Sequence, residues 1–298
     1  MIPVIMMVAL LPIAIDRAWI RGNYPAVADE KRNEFFPAFE EYTKSEEELS
    51  TSRDTSYILY GYGNATQQTT RQLTHYIRAL TSRQAPGGRH LQDQSGRQHF
   101  SQLGQSQLID KLLKGRRGGV FLECGAYDGE RMSNSLFFEL HRNWTGVLIE
   151  GNPKHYPNLL SKNRNAFVVR ACLSPSTVPQ ALKYSVQDAR SGIALGMITQ
   201  TVEIPCFPLN SIMEALGIRH IDYMSLDVEG PELKILKTLN WSQLSIDIMS
   251  IEYNYRPKKL NDLRSFFKDT GKYKEVALLP RGRKEKKAVD VVFMRDTY

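Results

Sequence analysis

Residues 119–130 read GVFLECGAYDGE. A short apolar run, Val120 to Leu122, ends on an acid, Glu123, and then breaks at Gly125 and Gly129. Such a run suits a strand buried on both faces, and the glycines after it suit a tight turn. A helix-like stretch follows from Arg131 to His141. The pattern then repeats: Thr145–Glu150 (TGVLIE) is a second apolar run ending on an acid, and Tyr156–Asn163 reads as helix. Ala166–Ala171, Tyr223–Val228 and Ser245–Tyr253 are further strands of the buried type, with the helix-like Glu232–Leu239 between the last two. Tyr273–Leu279 and Ala288–Met294 suggest an antiparallel end. Strands alternating with helices predict an α/β fold with a mostly parallel sheet, helices on both faces and an antiparallel C-terminal strand. Ligands of such sheets bind at the carboxyl ends of the strands, where this chain places its acids and glycines.

Outward from this body the chain is more polar. Its 298 residues are 42% hydrophobic and carry a net charge of +7, enough apolar matter for a core and against a wholly disordered chain. Three cysteines make no disulfide framework, and their spacing makes no zinc site. Residues 1–15, MIPVIMMVALLPIAI, are uncharged and stop at Asp16 and Arg17. Such a run, extended to Trp19, reads as a membrane anchor, with a signal peptide or a buried segment as alternatives. Arg17 and Arg21 by themselves favour a cytoplasmic body. Residues 20–104 form a polar stalk in which Leu73, Tyr76, Ile77 and Leu80 mark one amphipathic helix, residues 84–88 break it, and 89–104 read as a linker. The α/β domain occupies 105–298. The basic run from Arg281 to Lys287 reads as a solvated hairpin loop. No aromatic-rich motif accompanies it, so no nucleic acid is expected.

The chemistry sits on three strand ends. In the first, Gly125 permits close approach of a ligand and Gly129 is placed at the start of a helix, whose amides favour an anion. Glu123 is a candidate for a cationic amine and Asp128 for polar ligand atoms, and Ala126 in the same turn and Asn152 after the second strand complete the candidate cofactor-binding set. The GxxxG spacing differs from that of a dinucleotide site. In the second, Glu150 ends its strand about twenty residues after Gly129, where a carboxylate accepts hydrogen bonds from ribose hydroxyls; Gly151, Asn152 and Pro153 then turn the chain. A ligand with ribose, carboxylate and amine but no phosphate is S-adenosylmethionine. In the third, Asp227 and Glu229 are read as facing one side of a strand end, as a general base on a hydroxyl, as joint holders of a divalent cation, or as caps of the next helix. Glu252 can join that rim. His220 is an alternative base, more simply a solvated or packed side chain, and Cys124 a small buried filler. Sequons at Asn64, Asn143 and Asn240 matter only in a lumenal body.

FLECGAYDGE (121–130), SNSLFFE (133–139), NWTGVLIEGNP (143–153) and IDYMSLDVEGPELKILKTL (221–239) resemble the FkbM-type methyltransferase domain. The resemblance covers residues 105–298 and implies a Rossmann-like class I methyltransferase sandwich. It also implies methyl transfer from S-adenosylmethionine to a hydroxyl of a sugar or small molecule. By motif match it assigns Glu123, Gly125, Asp128, Gly129 and Glu150 to the cofactor, and Asp227 and Glu229 to the substrate side. RACLS (170–174), IPCFPLNSIMEALG (204–217), IDIMSIEYNY (246–255) and LTHYIR (73–78) are more narrowly similar to the arthropod Star family. That similarity implies a secretory-pathway membrane protein that moves cargo between endoplasmic reticulum and Golgi. The expected partners are therefore a cargo protein or a small hydroxyl acceptor, and the membrane through the N-terminal segment.

Overall fold

The computed structural model describes residues 67–83, 88–186, 191–194, 200–254, 256–280 and 288–296. The apolar segment, the stalk as far as residue 66, Asn64 and the basic run 281–287 lie outside them. Among the described residues no helix is long and apolar enough to cross a membrane.

The continuous apolar runs become the centre of an eight-stranded sheet. Strands β2 (Val120–Cys124), β3 (Thr145–Ile149) and β4 (Ala166–Val169) run parallel. On the other side of β2 lie β8 (His220–Leu226) and β9 (Ser245–Glu252), also parallel. Strand β11 (Ala288–Arg295) then inserts antiparallel between β9 and β10 (Tyr273–Pro280). The spatial order β4-β3-β2-β8-β9-β11-β10, with β11 alone reversed among these seven, is that of the class I methyltransferase fold. The parallel strands read as unbroken apolar runs because both faces are covered: Phe121, Leu122, Leu148, Val168, Tyr223, Met224 and Ile248 are all fully buried.

Helices α2 (Gln105–Leu112) and α3 (Leu136–Arg142) pack on one another, as do α6 (Glu232–Thr238) and α7 (Pro257–Thr270). Trp144 is 1% exposed beside Phe138, and its indole N–H donates to the Arg116 carbonyl at 2.9 Å, so the apolar ring is buried without an orphaned donor. The leader helix α1 (Gln67–Ala79) buries Leu73 and Ile77, the centre of its apolar stripe, and packs on α5 (Leu209–Ala215). Directly after it, β1 (Thr81–Arg83) adds an antiparallel edge to β4. Residues 89–104, read as linker, lie against the body: Phe100 is buried and the His99 ring stacks on Phe137 at 4.0 Å. A second sheet, order β5-β7-β6, is formed by Cys172–Leu173, Thr201–Phe207 and Gln180–Ser185.

Candidate cofactor and acceptor site

Gly125 and Ala126 turn the chain at the end of β2, and both backbone N–H groups donate to the Ile149 carbonyl, at 3.0 and 3.1 Å. Gly125 has φ +80°, and a Cβ there would lie 2.0 Å from the Asp227 carbonyl oxygen. The position therefore needs glycine twice over, for its dihedral and for the close approach of β8. Gly129 does not open the next helix. It has φ +76° and sits in a loop that runs on to Leu136, the first residue of α3. Asp128 closes this loop internally, its Oδ1 accepting from Glu130 N–H at 3.0 Å and Arg131 N–H at 2.8 Å.

The loop exists because Glu123 pulls the approach of α3 toward itself. Its carboxylate is 4% exposed and accepts from Ser133 Oγ, Asn134 N–H, and the N–H and Oγ of Ser135. Both oxygens are engaged, so Glu123, the residue read from the sequence as a candidate for a cationic amine, here holds the loop that leads into α3. Arg164, fully buried, ties the same loop down through Glu139, the Gly129 carbonyl and Ser135. Lys162 pairs with Glu130 at 2.5 Å. Sequence reading missed these four charged residues, since nothing in a lone Arg or Glu marks which backbone groups it will meet.

Glu150 lies at the end of β3, 3% exposed. Its oxygens accept from Tyr127 N–H at 2.8 Å and Asn152 N–H at 2.6 Å. Burial outweighs these bonds and pushes its carboxyl up to about 7. Asn152, fully buried, accepts from Lys154 N–H at 2.9 Å and donates to Ser191 Oγ at 2.7 Å, so its side chain positions the turn.

Asp227 and Glu229 meet by a different route from strand alternation. Strand β8 ends at Leu226, and a turn follows in which Glu229 takes φ +58°. The turn brings carboxylate oxygens of Asp227, Glu229 and Glu252 within 4.8 Å of one another. Glu252 is pushed up to about 8 by burial and by Glu229 and Glu232, and Asp290 to about 6 by burial. Asp227, crowded by protein although one edge opens to solvent, is raised by that crowding and by Glu252. His220 lies at the opposite end of β8, its Nδ1 2.7 Å from Ser245 Oγ and its Nε2 3.3 Å from Asp247, which removes it as a base for this site. Cys124 is buried and burial drives its thiol pKa far up, as suits a filler.

The second sheet closes over the strand ends. Tyr184 of β6 is 6% exposed, and burial, Glu150, Asp227 and Glu229 all raise its hydroxyl. The charge of both acidic groups is thus felt at one side chain. Gly151 is covered so closely that a Cβ would lie 2.7 Å from Ile204 and 3.1 Å from the Tyr184 ring. The cavity lined by Gly125, Gly151, Ala171, Tyr184, Ile193 and Val228 holds about 10 Å³, the space of about one water. The donor set at this crevice, a buried carboxylate beside a glycine turn, fits a nucleoside. The space fits one only when Tyr184 and Ile193 move. Beside them, Cys172 of β5 and Cys206 of β7 form a single disulfide, which leaves Cys124 as the odd thiol.

The family model of the methyltransferase FkbM domain matches residues 123–273, just over half of the chain. The chain belongs to this family. No curated protein matches it, so the FkbM assignment stands without the narrower Star one. Among solved structures, this FkbM domain is similar to methyltransferase FkbM from Methylobacillus flagellatus KT, at 13% identity and TM-score 0.41 over 74% of this chain and 50% of that one. It is also similar to the Methanococcus jannaschii fibrillarin pre-rRNA processing protein, at 15% identity and TM-score 0.37 over 61% and 68%. Precorrin-6y C5,15-methyltransferase from Geobacter metallireducens GS-15 gives 13% identity and TM-score 0.38 over 63% and 84%.

Proposed function

We propose that the chain is an S-adenosylmethionine-dependent O-methyltransferase whose acceptor is a hydroxyl of a sugar or small molecule. One observation carries this reading: the strand ends that bear Glu150 and Asp227 open onto one crevice, lined by Gly125, Gly151, Tyr184 and Val228. Glu150 would accept the ribose hydroxyls, and the turn from Gly125 to Gly129 would let the rest of the cofactor approach the backbone. S-adenosylmethionine, when bound, supplies a methyl carbon made electrophilic by its sulfonium. Asp227 and Glu229 hold the acceptor hydroxyl and take its proton. The hairpin opens at Tyr184 to admit the nucleoside.

The disulfide supports an oxidising compartment, the secretory lumen or the cell exterior. The exposure of Asn143 and Asn240 agrees with a lumenal body. A Star-like role in carrying cargo through that pathway is the second reading, favoured by the same bond. Titrating the full chain with S-adenosylmethionine, with Glu150→Ala as control, tests the first. Saturable binding lost in the control, followed by transfer of labelled methyl to a panel of sugars, supports it. A folded chain that does not bind leaves the cargo role.

A further inference from the structure

Two clusters of acids stand at opposite ends of β8, and their difference is informative. At the amino end, Asp222 and Asp247 are matched by Arg116 and His220, and His220 is raised to about 9 by its hydrogen bonds to them. That cluster carries its own positive charge. At the carboxyl end, Asp227, Glu229 and Glu252 converge from the ends of two adjacent parallel strands. Lys259, which faces them, bonds Glu232 at 2.6 Å, and the nearby Asp290 accepts from Gln105 Nε2 at 2.9 Å. Glu252 is 8% exposed, and its Oε2 is buried with no hydrogen-bond donor. A buried carboxylate oxygen without a donor is costly, and three carboxylates in one place repel unless a proton or a cation joins them.

We propose that Asp227, Glu229 and Glu252 bind a hard divalent cation of the magnesium or manganese type, and that this cation holds the acceptor hydroxyl. Oxygens on one such ion at about 2.1 Å lie roughly 3–4 Å apart, so the observed cluster closes on it by small side-chain rotations. An all-oxygen set selects hard cations over zinc or copper. The cation lowers the pKa of the bound hydroxyl. During transfer the oxygen–carbon bond forms as the carbon–sulfur bond breaks and the electron pair stays on sulfur; Asp227 and Glu229, as ligands, then act on the hydroxyl through the ion, and its proton passes to solvent in place of a direct transfer to either carboxylate. This acceptor role rests on the methyl-transfer reading, whereas the ion site does not.

The test uses the full chain, titrated with Mn²⁺ by calorimetry and followed by electron paramagnetic resonance. We expect one Mn²⁺ per chain, displaced by Mg²⁺, with affinity at least tenfold weaker in Glu252→Gln and in Glu229→Gln. Both variants are near-isosteric and remove repulsion, so thermal melts without metal show them folded. Absence of saturable binding up to millimolar Mn²⁺, or unchanged affinity in both variants, overturns the site. Glu150→Ala separates the two readings, because it keeps Mn²⁺ binding while losing S-adenosylmethionine. If Mn²⁺ binds and S-adenosylmethionine does not, the ion site stands and the methyltransferase reading falls.

Discussion

Replacing Tyr184 with alanine tests whether the hairpin sets access to the proposed nucleoside pocket. The ring is 6% exposed, packs over Gly151, and donates its hydroxyl to the Ser191 carbonyl at 3.2 Å. Truncating a buried aromatic side chain removes about 3–5 kcal/mol of packing. With the ring packed in the closed form and released in the cofactor-bound form, that loss falls on the closed form alone. At ~1.4 kcal/mol per decade, the lower figure lowers the apparent Kd for S-adenosylmethionine by up to ~100-fold. Tyr184→Phe keeps the packing and loses one hydrogen bond, about 1 kcal/mol, or roughly fivefold. The assay is calorimetric titration of the full chain at pH 8, where Glu150 is ionised, with circular dichroism to establish folding. The expected order of affinity is alanine, then phenylalanine, then wild type. A folded Tyr184→Ala chain that binds no better refutes the reasoning, and one that binds worse makes the ring a wall on which the adenosine packs.

Three further outcomes follow from buried charge and the crosslink. Glu150 titrates near 7 in the fold against an ordinary 4.5, so the folded state holds its proton more tightly and stability falls as pH rises between those values. Glu150→Gln loses one backbone N–H bond at every pH, since its NH2 cannot accept, but its effect on stability should be more favourable at pH 8 than at pH 4 by up to about 3 kcal/mol, and thermal melts at the two pH values showing equal effects would contradict this. Arg164→Ala leaves Glu139 buried and partly unpaired, which should cost about 3–5 kcal/mol in urea unfolding; a loss below 1 kcal/mol would show the loop to be held elsewhere. The bond between Cys172 and Cys206 closes a 34-residue separation, so Cys172→Ser should cost roughly 4 kcal/mol, and a denaturation midpoint unmoved by reductant in wild type would show the thiols unpaired.

The central strands were readable because a strand covered on both faces must be apolar throughout, and FLEC, GVLI and YMSL carry that signature next to glycine. The second sheet was not, because QALKYS and TVEIPCF mix charge, proline and apolar residues at a surface that is half covered. Helix α7 escaped notice although Leu260, Leu263 and Phe267 lie on one helical face, since its lysines and arginine dilute the stripe. Strand β1, three residues long, has no periodicity to detect. The same limit applies to the site. The residue types at Glu150, Asp227 and Glu229 announced a polar crevice. Which carboxylate holds a loop and which faces the crevice was decided by backbone N–H groups that only the fold positions, as Glu123 illustrates. The turn after Leu226 brought Glu229 within 4.8 Å of Glu252 by a left-handed residue that no alternation rule anticipates.

The crosslink also fixes how the hairpin can move. Cys206 stands opposite Gln180 in the β6–β7 ladder, and Tyr184 opposite Val202, so the ring is four residues along β6 from the stapled end. Four residues of antiparallel strand span about 14 Å, so displacing the ring by ~3.5 Å, one ring thickness, needs a swing of only about 15° about that end. A swing of the second sheet about its disulfide would thus uncover the proposed nucleoside pocket without breaking a strand pair of the eight-stranded sheet.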